Sequence, residues 1–556
     1  MMGKGIATTI MSLVVGILAN ANPTIKGFTL LSDNFDEGMK AIEIAGEYGI
    51  NHLQLSHNII MDLCEVNEDD KAELVNRFIT VAHDKGIREV VVWDHCLYKM
   101  DYYPSKFKIK EDGRSKLDFD NPEFWEWLKN DYRRMLSKLP EVDGLVLTFI
   151  ETGARAEKQI SEKMKTGPEK LAAVIKAVSQ VVCDELGKKL YLRTFAYTKD
   201  EYATLRKCMN LVPESDKIIL MMKETPHDFF LMHPDNPLVG TINRPTIIEF
   251  DATGEFHGQC IIAGMIPGKI AGRWRNHMQR PQVVGYVART DRYGDTQIVG
   301  TPAEVNLYAL KRVTEEPAAT DERILEEFLE KHYGAEAVAA LKPVFESTYD
   351  ILTSSMYILG LNMARHSEMS FDNVSIYSRH VSGRWNDNPE IHIAHDINRD
   401  FHYWKDIVDH LAPVECKKLK GKYAKELKEV LAREWTEPEE RMTEEYLDYI
   451  LKEYAYALRL TEKNIKTIRS IRNILPPSAY EQLYSLFERT SMTIRLRSAA
   501  AEIYWGRRIN SEKAVNAGKA RLLPVISEYD LYSKQYPVGQ WDWKNDVALA
   551  RMLLVK

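Results

Sequence analysis

A (β/α)₈ barrel followed by an all-helical region is the fold class predicted by the 556-residue sequence, on three observations. Eight short apolar runs alternate with longer amphipathic stretches between positions 27 and 313, and such runs separated by helices make a parallel sheet covered on both faces. Eight units in ~250 residues is the size of a closed barrel. An open dinucleotide-binding sheet would carry GxGxxG after its first strand, whereas here that strand leads into "SDNFDEG".

The elements follow in order. Residues 1–21 have a Lys-bearing start, an apolar run and small residues before a cleavage point, the layout of a secretory signal, so a periplasmic or secreted protein is expected. The barrel is placed at 25–315. Its strands are "GFTLL" (27–31), "HLQLS" (52–56), "REVVVWDH" (88–95), "GLVLTFIE" (144–151), "KLYLRTFAY" (189–197), "KIILMMKE" (217–224), "TIIEFDATG" (246–254) and "VVGYVARTD" (283–291). The helix at "TGPEKLAAVIKAVSQVVCDELGKK" has Pro168 in its first turn and Gly187 after its last. Residues 316–556 carry helical periodicity alone, interrupted by a polar stretch at 365–404 rich in His, Asn, Asp and Trp, which reads as a loop.

Composition removes several function classes. Hydrophobic residues at 45% and charged residues at 28% describe a soluble globular chain. A net charge of -7 leaves no basic face for nucleic acid, and after the leader no run approaches the ~20 apolar residues of a membrane span. The six cysteines form no CxxC pair, so free thiols are expected rather than a metal site.

The chemistry gathers where the strands end, which in a barrel is the face that carries active sites. Glu151 closes the fourth strand, Glu224 and Asp228 follow the sixth, and Asp251 and Glu255 follow the seventh. Arg193 and Lys223, on strands five and six, can tune such carboxylates or bind an anionic substrate. Trp93, Asp94 and His95, with Arg292 and Tyr293 after the last strand, are the further candidate substrate contacts, and Tyr102 and Tyr103 are candidates for stacking on a sugar ring. No DxDxDG loop and no HExxH spacing is present, so no metal or other cofactor is expected, and acid and base roles suit the carboxylates better.

With these residues assembled, the chain resembles the α-glucuronidases of glycoside hydrolase family 67. The similarity runs through "DGLVLTFIETGARA", "LYLRTFAY", "KETPHDFFLMHPDNPLVG", "IIEFDATGEFHGQ" and "ARTDRYGD", in that order. The resemblance implies Glu151 as general acid, Asp228 and Glu255 as the carboxylates that activate water, and Arg193 and Lys223 as binders of a uronate carboxyl group. It also implies an inverting, exo-acting enzyme on plant or algal oligosaccharides, dimeric through its helical region. Leu147 stands where the family has a further uronate-binding Lys. A non-uronate or N-acetylated glycoside, or an inactive carbohydrate-binding barrel, therefore stays open as an alternative, as do the roles of Asp251 and Glu224.

Overall fold

The structure is a computed structural model that describes residues 23–149, 151–194, 199–226, 228–231, 235–292, 296–357, 367, 444–535 and 544–555. The expected leader, Tyr293 and Cys416 lie outside these residues, as does all but Ser367 of the polar stretch at 365–404.

Eight strands close a parallel barrel: β1 (Ile25–Leu30), β2 (His52–Leu55), β3 (Glu89–His95), β4 (Gly144–Thr148), β5 (Lys189–Thr194), β6 (Ile218–Lys223), β7 (Thr246–Asp251) and β8 (Val283–Arg289). Each pairs in parallel with its neighbours in chain order, and β8 returns to β1. The runs read as strands are the strands of the barrel, because β-branched and aliphatic residues buried on both faces leave no solvent side for a polar alternation.

Helices α1 (Phe35–Ile44), α2 (Asp69–Asp84), α3 (Pro122–Leu136), α4 (Gly167–Ser179), α5 (Lys199–Met209), α6 (Pro267–Met278) and α7 (Val305–Glu315) follow seven of the strands. Their starts are chemically marked. The Asn121 side chain accepts from the Glu123 N–H ahead of Pro122, and Thr166 exchanges hydrogen bonds with Glu169 ahead of α4. Each such cap contributes about 1 kcal/mol. The β6–β7 connection carries no helix among the described residues.

Beyond α7 come α8 (Asp321–Tyr333), α9 (Ala335–Glu346) and α10 (Thr348–Ser355), then α11 (Glu444–Ser470), α12 (Pro477–Arg508), α13 (Glu512–Gln535) and α14 (Lys544–Val555). Helix α12 packs along both α11 and α13, and α11 packs on α9 and α10. One apolar core runs from the barrel's outer layer into these helices. A second, separate core fills the bore with Val91, Trp93, Val146, Tyr191, Met221 and Ile247 among others. The architecture is a TIM barrel followed by a helical region. Cys64, Cys96, Cys183, Cys208 and Cys260 are free thiols.

Candidate active site

The bore plug fixes the facing of every strand, because side chains alternate at period two. With Val91 and Trp93 inward on β3, His95 is inward and Asp94 outward; with Tyr191, Met221, Ile247 and Val287 inward, so are Arg193, Lys223, Glu249, Asp251 and Arg289. The upper bore therefore changes abruptly from apolar to charged. Its groups answer one another in a chain.

Glu249, fully buried, is held by Arg193 (Nε to Oε2 2.8 Å) on one side and Arg289 (Nη2 to Oε1 2.9 Å) on the other. Arg289 also donates to Glu255 at 2.8 Å, and the other Glu255 oxygen accepts from Arg292. The Arg292 guanidinium reaches His57 Nε2 at 3.3 Å. The His57 ring stands 5.2 Å from that of Trp93, and the Arg193 guanidinium lies 4.5 Å above the same indole. Seven side chains thus close a circuit around the mouth. Beside it, Lys223 holds Asp228 at 2.7 Å, and the Phe229 ring sits between the Lys223 and Arg289 cations, 4.7 and 4.6 Å from its centre.

The electrostatics follow from burial set against pairing. Burial raises the proton affinity of Glu249, but Arg193, Arg289 and Lys223 outweigh it and hold this carboxyl below the usual range. Burial likewise works against the Arg289 charge, and Glu249 and Glu255 overcome it, so the guanidinium is more firmly protonated than usual. Desolvation, reinforced by Arg292, Arg289 and Arg193, pushes His57 well below its ordinary value. A neutral His57 accepts from Arg292 on Nε2 and donates from Nδ1 to the Ser56 hydroxyl at 3.1 Å. The cations Arg193, Lys223, Arg289 and Arg292 are interleaved with the carboxylates Asp228, Glu249 and Glu255, and Asp251 acts on Arg289 as well.

The turn after β7 explains the density of acids in "EFDATGEFHGQ". Asp251 accepts from the N–H groups of Thr253 (3.1 Å), Gly254 (3.1 Å) and Glu255 (2.6 Å) and from the Thr253 hydroxyl (2.7 Å). Its carboxylate is spent on the backbone and aims Glu255. Gly254 sits at φ +75°, where a Cβ would also fall 2.7 Å from the His257 ring. Glu224 faces the opposite side of its strand end, 3.6 Å from Arg273 of α6, and burial, opposed by Arg273, lifts it to about 7.

Glu151 is exposed on the turn that follows β4. That turn is pressed against the β3 loop: Ala154 N–H donates to the Leu97 carbonyl at 2.9 Å, and a Cβ on Gly153 would lie 2.3 Å from the Lys99 nitrogen. Asp228 and Glu255 are more enclosed, with 13% and 7% of their side chains exposed.

Several expected contacts are repositioned. Asp94 faces away from the bore, fully buried, accepting from the hydroxyls of Tyr98 (2.7 Å) and Tyr132 of α3 and from Leu63 N–H (2.9 Å). It is a packing anchor rather than a substrate contact. Tyr102 and Tyr103 pack edge to face on each other at 5.5 Å and on Trp127 at 6.0 and 5.7 Å, so neither presents a free ring for stacking. Trp93 is covered by Arg193 and donates to Gln54 at 3.0 Å. His95 points into the bore, and although burial disfavours its charge, Asp62 and the Met61 carbonyl raise its proton affinity. Arg193 and Lys223 reach the mouth but are 2% exposed and engaged with Glu249 and Asp228.

Glu249 and Arg289 were not among the expected site residues, although both lie at inward-facing positions of their strands. Among the described residues no group of three His, Cys, Asp or Glu side chains is placed to hold a metal ion, and no helix is long and apolar enough to cross a membrane.

No protein-family model matches the chain, and no curated protein matches it. Among solved structures it is similar to a GH138 enzyme targeting pectin rhamnogalacturonan II, at 12% identity and TM-score 0.58, over 96% of this chain and 83% of that one. It is also similar to an O-GlcNAc hydrolase of Thermobaculum terrenum (10% identity, TM-score 0.46, 96% of this chain and 94% of that one). A third is a GH115 4-O-methyl-α-glucuronidase with specificity for decorated arabinogalactans (11% identity, TM-score 0.49, 96% and 61%). At 12% identity the first likeness establishes a shared fold.

Proposed function

We propose that this protein is an exo-acting glycoside hydrolase that removes a terminal α-linked uronic acid from plant or algal oligosaccharides. The observation that carries the reading is the set of carboxylates at one face of the barrel: exposed Glu151 after β4, and enclosed Asp228 and Glu255 after β6 and β7. Glu151 donates a proton to the leaving glycosidic oxygen. Asp228 and Glu255 face the anomeric carbon, where they take up the proton of the attacking water, giving inversion. The gathering of Arg193, Lys223, Arg289 and Arg292 at the mouth supports an anionic sugar, and the resemblance to family 67 points the same way. The barrel shared with a GH138 enzyme targeting a pectin is compatible with this class, though barrels host many chemistries.

One feature favours a second reading of the mechanism. Glu255 carries charge-assisted hydrogen bonds from two arginines, which fix the orientation of its carboxylate as attack on carbon requires. Glu255 is then the nucleophile, Glu151 serves as acid and then base, and configuration is retained. NMR of the first-formed product from a panel of α-uronosides and N-acetylhexosaminides tests both. A β-anomer from an α-uronoside supports inversion and an α-anomer retention, while turnover of N-acetylhexosaminides alone rejects the uronate reading.

Export and a homodimer through the helical region belong to the same proposal. A periplasmic fraction yielding a chain that begins near residue 22, and a doubled mass by light scattering, are the expected results.

A further inference from the structure

The two loops that carry Asp228 and Glu255 are bridged by one hydroxyl from outside the barrel. Tyr357 follows α10 and is fully buried. Its oxygen accepts from the Leu231 N–H at 2.9 Å, three residues beyond Asp228, and donates to the Phe256 carbonyl at 3.0 Å, next to Glu255. Between the same loops the rings of Phe230 and Phe256 meet at 4.3 Å. We propose that Tyr357 is a positioning residue whose hydroxyl sets the spacing of the Asp228 and Glu255 loops, so that the helical region completes the catalytic face.

Other contacts of the helical region show that the bridge is anchored rather than incidental. Ser367 Oγ accepts from Gly258 N–H at 2.8 Å and donates to the Glu255 carbonyl at 2.7 Å. Thr490 Oγ1 of α12 accepts from Ala263 N–H at 2.9 Å, and Arg489 donates to the Ile261 carbonyl. Arg497 of α12 binds the Ser367 carbonyl while paired with Asp546 of α14, both side chains essentially without solvent. These contacts hold the β7 loop from one side. Tyr357 also reaches the β6 loop.

A hydroxyl that fixes two loops matters to chemistry because displacing a reacting group by about 1 Å costs on the order of a hundredfold in rate. The inference rests on the carboxylate site proposed above, and the test separates the two. Tyr357→Phe removes the bridging oxygen and keeps the ring. Tyr456→Phe is the control, since it removes one hydroxyl bonded to Asp350 at 3.0 Å within the helical region.

On a uronoside that the wild type hydrolyses, Tyr357→Phe should lower kcat about tenfold to a hundredfold, with KM within about twofold, while Tyr456→Phe leaves kcat unchanged at a similar shift in Tm. An unchanged kcat in Tyr357→Phe, or equal losses in both variants, overturns the proposal. Hydrogen exchange followed by mass spectrometry gives a readout that needs no substrate. Peptides covering 224–231 and 252–263 should exchange faster together in Tyr357→Phe alone, and protection unchanged in either peptide rejects the bridge even for a protein that hydrolyses no glycoside.

Discussion

The two ends of the barrel bore both carry ion-paired side chains, yet they are built to opposite ends. At the N-terminal mouth Glu89 collects three donors, His52 Nδ1 at 3.0 Å, Lys189 and Tyr191. All four side chains come from strands, and the cluster closes on one carboxylate. At the C-terminal mouth the charges form an extended circuit that runs off the strands into loops, and those loops are held by helices outside the barrel. Charge inside a bore is therefore no mark of a catalytic site. What distinguishes the upper end is that three of its acids, Glu151, Asp228 and Glu255, lie beyond the strands and one of them, Glu151, meets solvent.

The largest effect should come from breaking that distinction directly. Glu151→Ala is expected to reduce hydrolysis by about 10³-fold or more with folding intact, whereas Glu89→Gln at the other mouth should leave kcat within about twofold. Comparable kcat losses would mean that the two ends are not functionally different. Arg289→Met comes next. It leaves Glu249 and Glu255 short of a shared partner in a buried site, a loss of about 3–5 kcal/mol in stability measured by urea unfolding.

The pH dependence of stability sharpens the lower end. Glu89 is held at about 2, because His52, Lys189 and Tyr191 outweigh the burial that would raise it. A carboxyl depressed on folding stabilises the protein above its unfolded pKa of about 4.3 and loses that contribution as pH falls toward 2. The contribution is on the order of 3 kcal/mol at neutral pH. Unfolding free energies taken from pH 6 to pH 2 should fall more steeply for the wild type than for Glu89→Gln, and parallel curves would refute the pairing. The smallest effect is expected for Asp94→Asn, about 1–2 kcal/mol of stability from weakened bonds to Tyr98, Tyr132 and Leu63. Its KM should not move; a tenfold rise would return Asp94 to the substrate.

The eight strands were legible because each is an uninterrupted apolar run bounded by polar turns, and Glu151, Asp228 and Glu255 stood out as acids just beyond such runs. Glu249 and Arg289 were hidden for the complementary reason. Glu249 sits inside an apolar run, where a single charge looks like a lapse in the core, and Arg289 closes one; the facing of both shows only once period two is fixed by Ile247 and Val287. Asp94 shows the same blind spot in reverse, since its place at a strand end says nothing about which side it faces. Tyr102 and Tyr103 look available from their loop position, but their neighbours Trp127 and Phe124 come from a helix 20 or more residues on. Tyr357 lies more than 100 residues from both groups it joins, a distance over which local patterning carries no information.

The sharing of Glu249 between two arginines has a consequence for how such a barrel can change over generations. Replacing Arg193 or Arg289 alone takes one of two cations from a buried carboxylate, and replacing Glu249 takes a shared carboxylate from two guanidinium groups, so the circuit resists alteration one residue at a time. Single substitutions are accommodated more readily in the turn at Glu151 and the neighbouring β3 loop, where side chains such as Glu151 and Lys99 already meet water. The charged ring is the part of the molecule that must be inherited whole.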